Sequence, residues 1–231
     1  MRRPAAFSRI WWQEWGLSAM LVFLLLTLFV ALPLETLELV SPAIVGVVMT
    51  FLFVAGVVAM SGRGLVTLAV AVFASASLVV RWLSMVFTSR ALVIWDFVLA
   101  MLALAMLTAF VLKHVFRAGP ITADRIRGSI VAYLLIGVLW CVAYQLIHFL
   151  VPGAFNFPDK AAIVPRSLSH RLVYFSFITL TTVGYGDITP VYPVARTLAA
   201  VEGLIGQLYP AILIARLVSL QISSRPSDAP H

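Results

Sequence analysis

Long apolar runs separated by short polar breaks account for most of this chain. Residues 16–34, 42–60, 65–87, 91–112, 129–151 and 194–222 each approach or exceed the roughly 18–20 apolar residues that cross a bilayer as a helix. Before the first run, residues 1–15 carry Arg2, Arg3 and Arg9, then Trp11, Trp12 and Trp15, which makes a basic and aromatic interfacial lead-in. That basic start is shared with signal peptides. The run is long, however, and no small-residue cleavage site follows, so it is read as a retained span. Between the fifth and sixth runs lies a shorter amphipathic segment, 168–180, which feeds into Thr181-Thr182-Val183-Gly184-Tyr185-Gly186-Asp187.

The polar breaks set the organisation. Residues 35–41 carry two acids and no base, 61–64 form a tight turn with Arg63, and 88–90 form a minimal turn with Arg90. Residues 113–128 are longer and basic, with Lys113, His114, Arg117, Arg125 and Arg127 around a Gly119-Pro120 break. Thr122 is placed to cap a helix whose first turn holds Asp124. The expected units are therefore an N-terminal segment (1–15), a four-helix membrane module (16–112), a linker (113–128), a second membrane unit (129–222) and a tail (223–231). With the N-terminus inside, the basic residues concentrate in the internal breaks, as the positive-inside rule requires. Both termini are then cytoplasmic in a multi-pass protein of the cell membrane, and the 181–187 stretch falls on the outer side.

Composition narrows the class. Of 231 residues, 62% are hydrophobic and 11% charged, too few polar groups to cover a water-soluble globule. The expected fold is all-α and integral to the membrane. The net charge of +7 sits in short loops rather than on one face, so it marks topology at an anionic lipid surface and not a nucleic-acid partner. Cys141 is the only cysteine, so no disulfide forms within the chain. Neither an enzyme nor a cofactor is expected.

The chemistry lies in 181–187. Glycines alternating with Val and Tyr allow positive φ at alternate positions, so a short extended run can turn its carbonyls to one side. Rings of carbonyl oxygens can replace the hydration shell of a permeating ion. The Thr-Val-Gly-Tyr-Gly-Asp run resembles the selectivity filter of the potassium-channel family. The resemblance covers roughly residues 129–220 in detail and is positional only for 1–128. It implies a re-entrant pore helix and filter loop between spans five and six, with K+ held by Thr182, Val183, Gly184 and Tyr185. Thr181, Gly186 and Asp187 complete the filter. One chain supplies one loop and four are needed, so a homotetramer in the lipid bilayer is expected.

The resemblance also implies that the aromatics Tyr174, Phe175 and Phe177 brace the filter, and that Gly206, nineteen residues after Asp187, is the inner-helix hinge. Pro210 lacks one ladder hydrogen bond and is expected to bend the helix near the gate. Gln207 is expected to face the cavity. Some members of the family couple a pore-helix Glu to the filter Asp; here Ile178 holds that place, so that coupling is not expected.

Ionisable residues inside apolar runs are functional candidates by default. Glu202 either lines the cavity as a carboxylate ring or lies behind the filter against pore-helix hydroxyls such as Thr179. Its spacing from Gln207 favours the second. Arg81 lies about 24 Å from the inner start of its span at 1.5 Å per residue, the depth of Asp96, so the two are expected to pair. His148 and His170 are placed near the external face and read as ordinary interfacial histidines rather than pH reporters, and Arg216 is read as a headgroup anchor. The fourth run contains no Arg or Lys, whereas a voltage sensor needs several. The reading is thus a potassium-selective channel that conducts passively and is not steeply voltage-gated. Its rivals are a weakly selective cation channel, a potassium-uptake transporter subunit, and a membrane receptor or scaffold with a vestigial pore.

Overall fold

The computed structural model describes residues 5–37, 39, 50, 54–56, 65–87, 89–117, 119, 122–158 and 165–223. Helix α1, Ala5–Leu26, passes through a π-helical turn, Thr27–Ala31, into α2, Leu32–Thr36. The lead-in is therefore helical from Ala5 and continuous with the first span. Pro33 has no N–H to give to the preceding turn, and the helix widens immediately upstream of it. There follow α3 (Leu65–Val86), α4 (Arg90–Val115), α5 (Ala123–Leu150), β1 (Phe155–Asn156), α6 (Pro165–Leu180), β2 (Thr189–Pro190) and α7 (Pro193–Ser223).

Among the described residues, four stretches are helical, long and apolar enough to cross a membrane: Gly16–Glu35, Arg90–Val115, Ala123–Leu150 and Pro193–Ser219. The apolar part of α3, Thr67–Leu83, is shorter. The expected span at 42–60 lies almost wholly outside the described residues. The tail from 224 onward lies outside them too.

Helix α5 is the hub. It packs against α4, α1, α6 and α7, and its apolar residues run round most of its circumference. That pattern suits a helix enclosed by others. The main core joins Leu17, Met20 and Leu24 of α1, Leu104, Leu107 and Val111 of α4, and Val131 and Leu135 of α5. Arg127 of α5 also donates to Ser18 Oγ on α1, 3.2 Å away.

The turn from α4 into α5 is held by its own polar groups. Thr122 caps α5 by accepting from the Arg125 amide, and Asp124 sits in the first turn, 2.9 Å from His114 Nε2. The Arg125 guanidinium donates to the carbonyls of Arg117 (2.6 Å) and Gly119 (2.9 Å). Gly119 has φ +132°, a region that L side chains rarely adopt.

A two-stranded antiparallel ribbon, not expected from the sequence, pairs Phe155 with Pro190 and Asn156 with Thr189. The Val191 and Tyr192 amides both donate to Ala154 O. The ribbon fastens the loop after α5 to the chain leaving the 181–187 stretch. Beneath it lies a second core of Tyr144, Phe155, Phe157, Leu172, Phe175 and Ile188.

Candidate functional site

Helix α6 ends at Leu180, and its last carbonyls must find donors. Thr182 N donates to Thr179 O (2.9 Å) and Val183 N to Ile178 O (2.9 Å). This is a Schellman closure with Thr182 at the left-handed position. Thr182 has φ +60°, and it is the non-glycine residue with positive φ among the described residues. A β-branched residue there is a true outlier and costs roughly 1–2 kcal/mol. The remaining carbonyls are also taken. Thr181 N and Oγ1 donate to Phe177 O (3.0 and 2.7 Å), Gly184 N reaches Ile178 O (3.2 Å), and Tyr133 Oη donates to Leu180 O (3.2 Å).

Beyond the cap the backbone alternates in sign. Thr182, Gly184 and Gly186 have φ of +60°, +53° and +78°, whereas Val183 and Tyr185 are not positive. Such alternation turns successive carbonyls toward one side of an extended strand. Nothing lies within 4 Å of a Cβ built on Gly184 or Gly186, so φ and not space demands glycine within the single chain. Residues 181–187 are all exposed; Val183 is 52% and Tyr185 71% accessible.

Helix α7 passes directly behind the end of α6. A Cβ on Gly206 would stand 1.8 Å from Leu180 O, whereas one on Gly203 would meet Thr179 O at 3.7 Å. Gly206 is thus the point where α7 touches the backbone that feeds the 181–187 stretch. The helix continues through Pro210 without a break. Gln207 is exposed, as is Arg216.

Glu202 is completely buried between α5, α6 and α7. Tyr144 Oη donates to its Oε2 at 2.5 Å, and its Oε1 lies 2.5 Å from Ser176 Oγ. The hydroxyl expected at this carboxyl was that of Thr179. Helical periodicity corrects this: Ser176, almost a turn earlier, faces α7, while Thr179 offers α7 only its backbone carbonyl. Tyr144 went unnoticed in the sequence because it lies 58 residues away on a helix that is apolar all round.

The sequence places Asp187 where it can attract cations and hydrogen-bond the helix before the 181–187 stretch, and Tyr174 is the residue of that helix that interacts with it. The Tyr174 phenol on α6 is pushed above its ordinary value, first by desolvation and then by the Asp187 carboxylate that accepts its hydrogen bond. Arg196 Nε donates to Pro190 O at 3.0 Å and steadies the exit.

The remaining candidates lie outside this site. Asp96 accepts from Ser77 Oγ at 3.2 Å, and the Arg81 charge acts on it. Both line a cavity of about 300 Å³ between α1–α2, α3, α4 and the α5–α6 pair. His170 Nε2 is 3.4 Å from Glu35 Oε2, joining α6 to the end of α2. His148 packs edge-on against Phe157.

Residues 162–222, which contain α6, the 181–187 stretch and almost all of α7, match the family model described as "Ion channel". The chain is 41% identical over 61 residues to Protein LctB of Bacillus caldotenax, and equally so to Protein LctB of Geobacillus stearothermophilus. Each match covers 26% of this chain and 45% of the relative. It is also 37% identical over 90 residues, 39% of this chain and 17% of the relative, to Two pore potassium channel c of Oryza sativa subsp. japonica. The chain thus spans less than half the length of these curated relatives. No solved structure matches it significantly.

Proposed function

We propose that this chain is one subunit of a homotetrameric, potassium-selective channel that conducts passively across the cell membrane. The observation that carries the reading is the alternation of φ along Thr182–Gly186 at the end of a capped helix, in a chain whose spanning helices leave that stretch exposed. A strand of this shape exposes backbone polar groups that a membrane protein tolerates only where protein or water covers them. Four copies around an axis turn their carbonyls inward and supply both cover and an ion site. The exposed apolar face of α7, with Leu204, Leu208 and Ile212, gives neighbouring copies a surface to pack on. Similarity to a protein named as a potassium channel supports potassium as the ion.

In this reading the carbonyls of Thr182, Val183, Gly184 and Tyr185, with the Thr182 hydroxyl, replace the water of K+. Asp187 guards the outer mouth, and α7 from Gly206 to Pro210 holds the gate. The chain crosses six times, with both termini cytoplasmic. Absence of cations from the fourth span rules against steep voltage dependence. No cofactor enters the mechanism, which is ion replacement of water and nothing covalent.

The test is purified protein in liposomes under a potassium gradient. The expected reversal potential follows potassium and not sodium, and Gly184→Asp abolishes the flux. A reversal potential that ignores potassium, or flux that survives the substitution, would falsify the selective pore.

A further inference from the structure

Glu202 is the one carboxyl group among the described residues that is wholly inaccessible, and its hydrogen bonds do not balance if it is ionised. Three oxygen–oxygen contacts join α7 to α6 and α5: Tyr144 Oη to Glu202 Oε2 (2.5 Å), Glu202 Oε1 to Ser176 Oγ (2.5 Å), and Ser176 Oγ to Gly137 O (2.8 Å). Each contact needs a proton. Tyr144 and Ser176 bring one each, and the Gly137 carbonyl only accepts. The third proton has to be on Glu202.

We propose that Glu202 is a carboxylic acid that donates to Ser176, so that a one-way relay, Tyr144 to Glu202 to Ser176 to Gly137, locks the helix before the filter to the two helices that flank it. Glu202 is a positioning residue in this scheme, and it rests on the channel reading only for its consequence. An ionised Glu202 takes the Ser176 proton for itself. Ser176 Oγ and Gly137 O are then left facing each other at contact distance with no proton between them, and the α5–α6 tie is lost.

The surroundings fit a neutral group. The titratable side chains facing Glu202 are Tyr133, Cys141 and Tyr144, all from α5 and all uncharged while they hold their protons. Helix α6 contributes the Ser176 hydroxyl. No cation is among the groups that act on it. A buried carboxylate without a cation is costly, whereas an acid with a donor and an acceptor is not. The tie also sits where it matters: Ser176 lies four residues before Leu180, whose carbonyl abuts Gly206 and begins the 181–187 stretch. This differs from a pore-helix Glu paired with the filter Asp, since here the acid comes from α7 and its partners are Tyr144 and Ser176.

The test is infrared difference spectroscopy of the reconstituted protein, wild type against Glu202→Gln, at neutral pH. The expected result is a protonated-carboxyl stretch in the wild type that vanishes in the variant. Its absence, or its persistence in Glu202→Gln, overturns the proposal. Should Glu202→Gln fail to fold, Ser176→Ala must move the frequency of that same band, because the acid loses its acceptor; an unmoved band overturns it equally. Potassium flux supplies a second readout. A glutamine amide donates to Ser176 and accepts from Tyr144, so Glu202→Gln restores flux that Glu202→Ala reduces by at least about tenfold. Wild-type flux falls at alkaline pH and that of Glu202→Gln does not; a matching pH profile overturns the assignment. If the band behaves as expected and no potassium flux exists in any sample, the relay stands and the channel reading fails.

Discussion

Gly206→Ala is the sharpest perturbation of the contact between α7 and the helix that feeds the 181–187 stretch. A methyl group at this position would begin 1.8 Å from Leu180 O, 2.7 Å from its carbonyl carbon and 3.1 Å from its Cα. All three are backbone atoms, so no rotamer change removes the clash. Cβ atoms essentially never approach closer than 3.0 Å, so α6 and α7 must part by a little over 1 Å. Overpacking of this kind costs about 1–3 kcal/mol, and a backbone obstacle places it at the upper end. The displaced atom is the last helical carbonyl before Thr181, and it also loses its 3.2 Å bond from Tyr133. The assay is the thermal stability of the detergent-solubilised oligomer, together with potassium flux in liposomes. Gly203→Ala is the control, because its Cβ meets Thr179 O at an ordinary 3.7 Å. Gly206→Ala is expected to lower stability and flux together, and Gly203→Ala to change neither. A hinge that merely bends predicts a stable Gly206→Ala oligomer with altered opening. That outcome, or equal effects at the two glycines, would refute the close-approach argument.

Two further outcomes follow from local geometry. Thr182→Gly removes a β-branched side chain from φ +60°, so stability is expected to rise by about 1 kcal/mol, while under the proposed channel reading potassium affinity falls with the lost hydroxyl; thermal melts in graded potassium separate the two, and unchanged stability would deny the strain. Burial lowers the His170 imidazole below its ordinary value of 6.5, and Glu35 opposes that. The folded form therefore resists a proton that the unfolded chain accepts, so stability is full above about pH 6.5 and declines as pH falls below it. Glu35→Gln should steepen the decline, and a flat profile in both proteins would contradict the contact.

Much of the architecture is legible in the residue pattern because a bilayer leaves few solutions. An apolar run of twenty residues has to be a helix, and runs near 91–112, 129–151 and 194–222 became α4, α5 and α7 with ends shifted by a few residues. The Thr122 cap and the acidic first turn of α5 were equally readable, because capping is local. The α3 helix also formed, but with a shorter apolar stretch than the run suggested. The β1–β2 ribbon escaped notice because two-residue strands carry no period.

The glycines show the boundary most clearly. Gly184 and Gly186 were readable from sequence alone, since glycines alternating with Val and Tyr allow positive φ whatever surrounds them, and the backbone adopts it. Gly206 stood out only by its spacing from Asp187, as a hinge; its need for hydrogen in place of Cβ was hidden, because it comes from Leu180 on another helix. Glu202 follows the same logic. Its depth in an apolar helix marked it as costly, and so as significant, before any contact was known. Only the packing of α5, α6 and α7 chose Ser176 and Tyr144 as partners and Thr179 as a bystander. Local backbone chemistry and hydrophobic length are properties of neighbouring residues, so the sequence by itself determined four membrane-long helices, the cap and the strand of alternating φ. Close approaches and proton counts involve atoms far apart in the chain, so only the tertiary structure decided what stands behind that strand and holds it.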